Sequence, residues 1–125
     1  MTTILCVEDD AQLLALYRRV LEGHGFKVLT AGSGQEGLKQ LHSGPIDLVI
    51  TDMLMPEMDG VELILQVLMM QPRPLILAVS GGGQYLLGSS LLHTADALGV
   101  QGTLLKPFTG EMLVAEVFKV LHAQH

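Results

Sequence analysis

Four apolar runs in this chain end on groups that can do polar chemistry. Ile4-Leu5-Cys6-Val7 leads into Glu8-Asp9-Asp10, and Asp47-Leu48-Val49-Ile50-Thr51 leads into Asp52. Leu75-Ile76-Leu77-Ala78-Val79 leads into Ser80-Gly81-Gly82-Gly83, and Gly102-Thr103-Leu104-Leu105 into Lys106-Pro107. Carboxylates gathered in one place repel one another and need a compensating charge. A hard divalent cation provides it, and Mg²⁺ takes a few carboxylate oxygens while sharing its remaining positions with phosphate and water. Lys106 adds a fixed positive charge. An Asp in such a setting is a nucleophile able to form an aspartyl-phosphate. That transfer depends on positioning and on stabilising charge at the moving phosphoryl oxygens. Mg²⁺ and Lys106 would neutralise two of those oxygens, the Ser80 hydroxyl would donate to a third, and the backbone N–H groups from Gly81 to Gly83 are further donors.

These groups can meet only if the runs lie side by side. Near-continuous apolar runs without alternation are the pattern of strands buried on both faces. Lys27-Val28-Leu29-Thr30 reads as a further, more polar strand at an edge. Helical patterns fill the gaps. Leu13, Leu16 and Val20 share a face of a first helix that stops near Gly23. Ser33 and Glu36 form a capping-box pattern for a second, with Leu38 and Leu41 inward. Asp59 caps a third, and Thr109 caps a fifth carrying Leu113, Val117 and Leu121. Between Gly81 and Ser90 glycine and serine abound, so the fourth helix is expected only from Leu91 to Leu98. Strand alternating with helix five times predicts an α/β fold with a parallel sheet covered on both faces. In such a sheet ligands bind beyond the carboxyl ends of the strands, where all four polar termini lie.

Composition narrows the classes of function. At 125 residues the chain is one domain by length, and 49% hydrophobic against 16% charged residues excludes a disordered tail. No run approaches the roughly 18 apolar residues of a membrane span. The N-terminus lacks a secretory pattern, which makes the cytoplasm the expected location. A net charge of −6 argues against direct nucleic-acid binding. The lone Cys6 lies inside an apolar run and reads as a small buried hydrophobe. The histidines show no ligand spacing and read as solvated surface. The methionines read as packing, and the apolar third helix, Val61 to Met70, as buried against the sheet.

Five segments taken together, Val7-Glu8-Asp9-Asp10, Thr51-Asp52-Met53-Leu54-Met55-Pro56, Asp59-Gly60, Ser80-Gly81 and Leu105-Lys106-Pro107-Phe108, resemble the receiver domain of bacterial two-component response regulators. They match in order and approximate spacing over essentially the whole chain. The resemblance implies a flavodoxin-like (βα)5 three-layer sandwich with strand order 2-1-3-4-5, and a single receiver domain over residues 1–125 with no output domain. It implies Asp52 as phosphoacceptor, Ser80 as the switch hydroxyl and Lys106 as the phosphate-pairing lysine. Glu8 and Asp9 would be the acidic pair, and Asp9, Asp52 and the backbone carbonyl of Leu54 would hold Mg²⁺. The phosphodonor would be a phosphohistidine on a sensor histidine kinase or a histidine phosphotransfer protein. The output would be altered binding of a downstream protein the sequence does not name, with phosphorylation-dependent homodimers common among relatives.

The sequence also departs from the family pattern. Where the family usually carries Tyr or Phe, three residues before the lysine, this chain has Thr103. Tyr85 is a candidate substitute for that moving aromatic. The segment from Ser80 to Lys106 is a few residues longer than the norm. The two positions whose side chains help place the hydrolytic water are Leu54 and Gly82, which predicts slow self-dephosphorylation. Three other readings compete. A haloacid-dehalogenase-like phosphatase also uses an Asp and Mg²⁺, but needs a second Asp where Leu54 stands. A receiver-like interaction module independent of phosphate is favoured by Thr103 and opposed by the intact acidic pair and lysine. A nucleotide-binding role would rest on Gly32-Ser33-Gly34 and Gly81-Gly82-Gly83, neither of which matches a dinucleotide or Walker pattern.

Overall fold

The computed structural model describes residues 1–53, 60–81 and 85–123, with residues 85–91 described by their backbone. The five strands are Thr3–Val7 (β1), Lys27–Ala31 (β2), Leu48–Asp52 (β3), Leu75–Ser80 (β4) and Gly102–Leu105 (β5). The helices that follow them are Ala11–Gly23 (α1), Gly34–Ser43 (α2), Gly60–Leu68 (α3), Tyr85–Leu98 (α4) and Gly110–His122 (α5). All four strand pairings are parallel, in the order β2-β1-β3-β4-β5, which is the expected flavodoxin-like arrangement with the polar β2 at one edge. The order reverses beside β1, so the crevice at the switch point lies between the ends of β1 and β3.

Strand alternation sorts the core into two layers. Ile4 and Cys6, Leu48 and Ile50, Leu77 and Val79, and Leu104 pack with Tyr17 and Leu21 of α1 and Leu113, Val117 and Val120 of α5. Leu5, Val7, Val49, Ile76 and Ala78 face the other way, against Leu41 of α2, Leu63, Ile64 and Val67 of α3, and Ala95 of α4. Cys6 is fully buried, and desolvation pushes its thiol pKa far up, so it behaves as an apolar side chain. The apolar α3 does bury its stripe against the sheet, leaving Leu65 exposed, but it ends at Leu68 rather than Met70, and Met69 just past it is exposed instead of packing as expected. His24, His42, His93 and His122 are exposed.

Local signals account for most helix starts. Asp10 caps α1 by accepting from the N–H of Gln12 and Leu13, and Thr109 caps α5 by accepting from Met112 N–H at 3.1 Å. Ser33 accepts from Glu36 N–H as expected, but the Glu36 carboxylate reaches back to the N–H of Gly32, one residue before the cap. The expected cap Asp59 lies outside the described residues.

Two further expectations require correction. α4 begins at Tyr85, six residues before the expected start at Leu91. Low helix propensity in a stretch with Gly88, Ser89 and Ser90 yields to tertiary context, because the crossover from β4 to β5 must cover the sheet. On α1, the fully buried residues are Tyr17 and Leu21, while Leu13, Leu16 and Val20 are only partly buried. The inward stripe is centred one residue away from the expected face.

Candidate metal and phosphoacceptor site

The strand ends deliver the polar groups to one place. Asp52 is the last residue of β3, in register with Val79 of β4. Glu8 follows β1 and continues its ladder, its N–H donating to Ala31 O at 3.0 Å. Lys106 follows β5 and donates its N–H to Ser80 O at 2.7 Å. By alternation Glu8, Asp52 and Lys106 stand above the α1/α5 layer, two residues beyond Cys6, Ile50 and Leu104. Ser80 shares the parity of Ile76 and Ala78 and stands above the opposite layer.

Lys106 Nζ bridges the two buried carboxylates, 2.9 Å from Glu8 Oε1 and 3.3 Å from Asp52 Oδ2. The second Glu8 oxygen, Oε2, accepts from the N–H of Asp10 at 3.1 Å. Glu8 is 1% exposed and Asp52 7%, whereas Asp9 is exposed. One oxygen from each of Glu8, Asp9 and Asp52 falls within 4.8 Å of the others, a set of hard donors suited to a divalent cation. Burial pushes the Glu8 carboxyl up to about 7, a rise that the Lys106 hydrogen bond opposes and the charge of Asp52 reinforces. Burial works against the charge of Lys106, but its hydrogen bond to Glu8 and the nearby Asp52 charge outweigh it and hold the ammonium above its usual range.

Glycines let the backbone close on this cluster. A Cβ at Gly60 would collide with the Asp52 carbonyl oxygen and Met53 Cα, and Gly60 N–H donates to Met53 O at 3.0 Å. Gly81 has φ +135°, and a Cβ there would meet the Lys106 backbone oxygen at 2.8 Å. Thr51, fully buried, donates its hydroxyl to the carbonyl of Asp52.

The sequence-predicted residues Glu8, Asp9, Asp52 and Lys106 thus come together. Ser80 is buried at the same sheet edge, outside the ion-paired group. Asp10 is the cap of α1. Leu54, Gly82 and Gly83 lie outside the described residues, as does the side chain of Tyr85. Thr103 is half-buried on β5, in register with Ala78 and on the Ser80 side of the sheet.

A family model described as response regulator receiver domain matches residues 4–118. The chain belongs to the response regulator receiver domain family. This receiver domain is 32% identical over 127 residues to the transcriptional regulatory protein CpxR of Escherichia coli, covering 100% of this chain and 51% of that protein. The response regulator ArlR of Staphylococcus aureus is 31% identical, over 99% of this chain and 54% of its own length. The chain therefore spans about half the length of the curated relatives it matches. Among solved structures, the chemotaxis response regulator CheY4 of Vibrio cholerae superposes with a TM-score of 0.85 at 28% identity, covering 96% of this chain and 98% of that one. A response regulator receiver domain protein from Clostridium thermocellum does so at 0.83 and 28%, covering 99% and 97%.

Receiver domains are signalling phosphoacceptors of two-component systems. Among the described residues, no helix is long and apolar enough to cross a membrane. The residue most clearly missed by sequence reasoning is Tyr17. The spacing of Leu13, Tyr17 and Leu21 at successive helical turns was the signal that could have placed it.

Proposed function

We propose that Asp52 takes a phosphoryl group from a phosphohistidine of a sensor histidine kinase or histidine phosphotransfer protein, and that Glu8, Asp9, Asp52 and the Leu54 carbonyl serve a Mg²⁺ ion. The observation that carries this reading is the bridge from Lys106 Nζ to Glu8 and Asp52 among three convergent carboxylates. Mg²⁺, when bound, neutralises charge on the carboxylates and on the incoming phosphoryl oxygens. The carboxylate of Asp52 forms the new P–O bond as the P–N bond of the phosphohistidine breaks, and the imidazole keeps the electron pair. Lys106 already lies against Asp52 and pairs with the negative charge that arrives there. Glu8 holds that ammonium in place through its short contact. Ser80, at the neighbouring strand end, offers its hydroxyl to the phosphorylated state as the switch residue. A cleft of about 340 Å³ lined by Asp10, Gln12, Leu13, Leu16, Lys106, Pro107 and Phe108 opens beside the lysine and offers an approach for the donor. The domain promotes only its own phosphorylation and dephosphorylation, and it works in the cytoplasm by changing its affinity for a downstream protein or for a second copy of itself.

Incubation with acetyl phosphate and Mg²⁺, followed by intact mass, tests this. One added phosphoryl group is expected, absent in Asp52→Asn and absent when the metal is chelated. Labelling that survives Asp52→Asn overturns the assignment of the acceptor.

The phosphate-independent interaction module keeps one feature in its favour, Thr103 at the position where the family pattern usually has an aromatic ring. Partner binding that is identical in phosphorylated protein and in Asp52→Asn would favour that reading.

A further inference from the structure

Tyr17 is among the largest fully buried side chains, with 1% exposure, in the layer directly beneath the site. It packs in one cluster with Cys6, Ile50 and Leu104, which stand two residues before Glu8, Asp52 and Lys106 on their strands. Burial pushes its phenol pKa well above the usual range, so the ring sits there as a neutral group. The Tyr17 ring stacks on Phe108, with centroids 6.1 Å apart and planes inclined by 20°. Phe108 is the second residue after Lys106.

The Lys106 side chain is four flexible carbons ending in a point charge, so where Nζ reaches depends on where its backbone is held. On one side, the backbone N–H of Lys106 is tied to Ser80 O. On the other, the chain turns through Pro107 to Phe108, which is half-buried against α1 through the stack on Tyr17. We propose that Tyr17 is a positioning residue for Lys106: its ring, stacked on Phe108, holds the turn so that Nζ reaches both Glu8 and Asp52. The proposal rests on the reading of Asp52 as phosphoacceptor. The ring matters and the hydroxyl does not, because the contact is between faces.

The test compares phosphorylation rates with acetyl phosphate and Mg²⁺, and Mg²⁺ affinity by calorimetry, in wild type, Tyr17→Leu, Tyr17→Phe and Phe108→Leu. Because displacement of a catalytic group by about 1 Å can cost up to about a hundredfold in rate, Tyr17→Leu and Phe108→Leu are expected to slow phosphorylation by about tenfold. Mg²⁺ affinity, which depends on the carboxylates, should stay within about twofold, and Tyr17→Phe should restore the rate. A wild-type rate in Tyr17→Leu overturns the proposal. Equal losses of rate and Mg²⁺ affinity also overturn it, since they mark Tyr17 as simple packing beneath the whole site. Should Tyr17→Leu not fold, Phe108→Leu gives the same readout from the other side of the stack. Wild-type protein that takes no label, or takes it without Asp52, fails the acceptor reading instead, so the two failures are separable.

Discussion

Lys106 Nζ lies 2.9 Å from Glu8 Oε1, although the two residues are 98 positions apart in the chain. The contact closes the site across four parallel strands, from the end of β1 to the end of β5 with β3 and β4 between, and Asp52 at the end of β3 shares the same ammonium.

Replacing Lys106 by Met should therefore act in opposite directions on two measurements. Phosphorylation by acetyl phosphate should slow by about a hundredfold, the usual order for losing a stabiliser of transition-state charge. Mg²⁺ should bind more tightly, by about threefold to tenfold, because a competing positive charge has left the carboxylates. Calorimetric titration with Mg²⁺ and a phosphorylation time course check the two effects.

The Glu8 carboxyl, raised from 4.5 to about 7 by burial, gives the metal-free protein a defined pH response. The folded state holds a proton that the unfolded chain releases, so this contribution to stability is full below the unfolded value and is lost as pH rises through about 7. Metal-free Tm should accordingly be lower at about pH 8 than at about pH 5.5. Mg²⁺ must displace the proton, so its apparent affinity should weaken on acidification below about pH 7, and Mg²⁺ should raise Tm far more at the alkaline end. Thermal melts with and without Mg²⁺ across that range measure both. A Tm that rises with pH in the absence of metal would contradict the assignment to Glu8.

Gly60 and Gly23 are both helical, yet alanine should affect them differently. At Gly60 a methyl group has no room between the Asp52 carbonyl and Met53, and a loss of about 2–3 kcal/mol is expected, with slower phosphorylation. At Gly23 nothing lies within 4 Å of the new carbon, so Gly23→Ala should be neutral or stabilising by up to about 1 kcal/mol. Denaturant melts of the two variants provide the comparison.

Asp10 and Asp9 are adjacent and chemically alike, but the structure separates them. Asp10→Ala should cost about 1 kcal/mol of stability through the lost cap on Gln12 and Leu13, with Mg²⁺ affinity within about twofold of wild type. Asp9→Ala should leave stability nearly unchanged and weaken Mg²⁺ binding by about tenfold or more, since one of three converging carboxylates is gone. Equal Mg²⁺ affinities in the two variants would contradict this division.

The phosphorylated form should be long-lived, because Leu54 and Gly82 have no side chain able to bind the hydrolytic water. Loss of label after removal of acetyl phosphate should take minutes or longer, and a half-life of seconds would refute the expectation. Leu54→Asn should shorten it.

Much of this protein was legible in its sequence because the signals are local. Unbroken apolar runs reveal strands covered on both faces, Thr109 and Ser33 announce their own helices, and Glu8, Asp9, Asp52 and Lys106 declare themselves as polar residues at the ends of such runs. Strand order and the individual roles of the carboxylates then followed from the family resemblance. Other features depend on residues far apart in the chain, or on a one-residue difference in phase. Leu13, Leu16 and Val20 describe an apolar face well enough, but only packing against the sheet turns Tyr17 to its centre and brings Phe108 onto it. The glycine and serine content of residues 81–90 argued against helix, and the need to cover β4 and β5 overrode it from Tyr85 onward. Strand parity set Ser80 above one layer and Asp52 with Lys106 above the other. Residue types determine which groups are available for chemistry. Which of them meet is decided by the register and packing of segments that the sequence keeps dozens of residues apart.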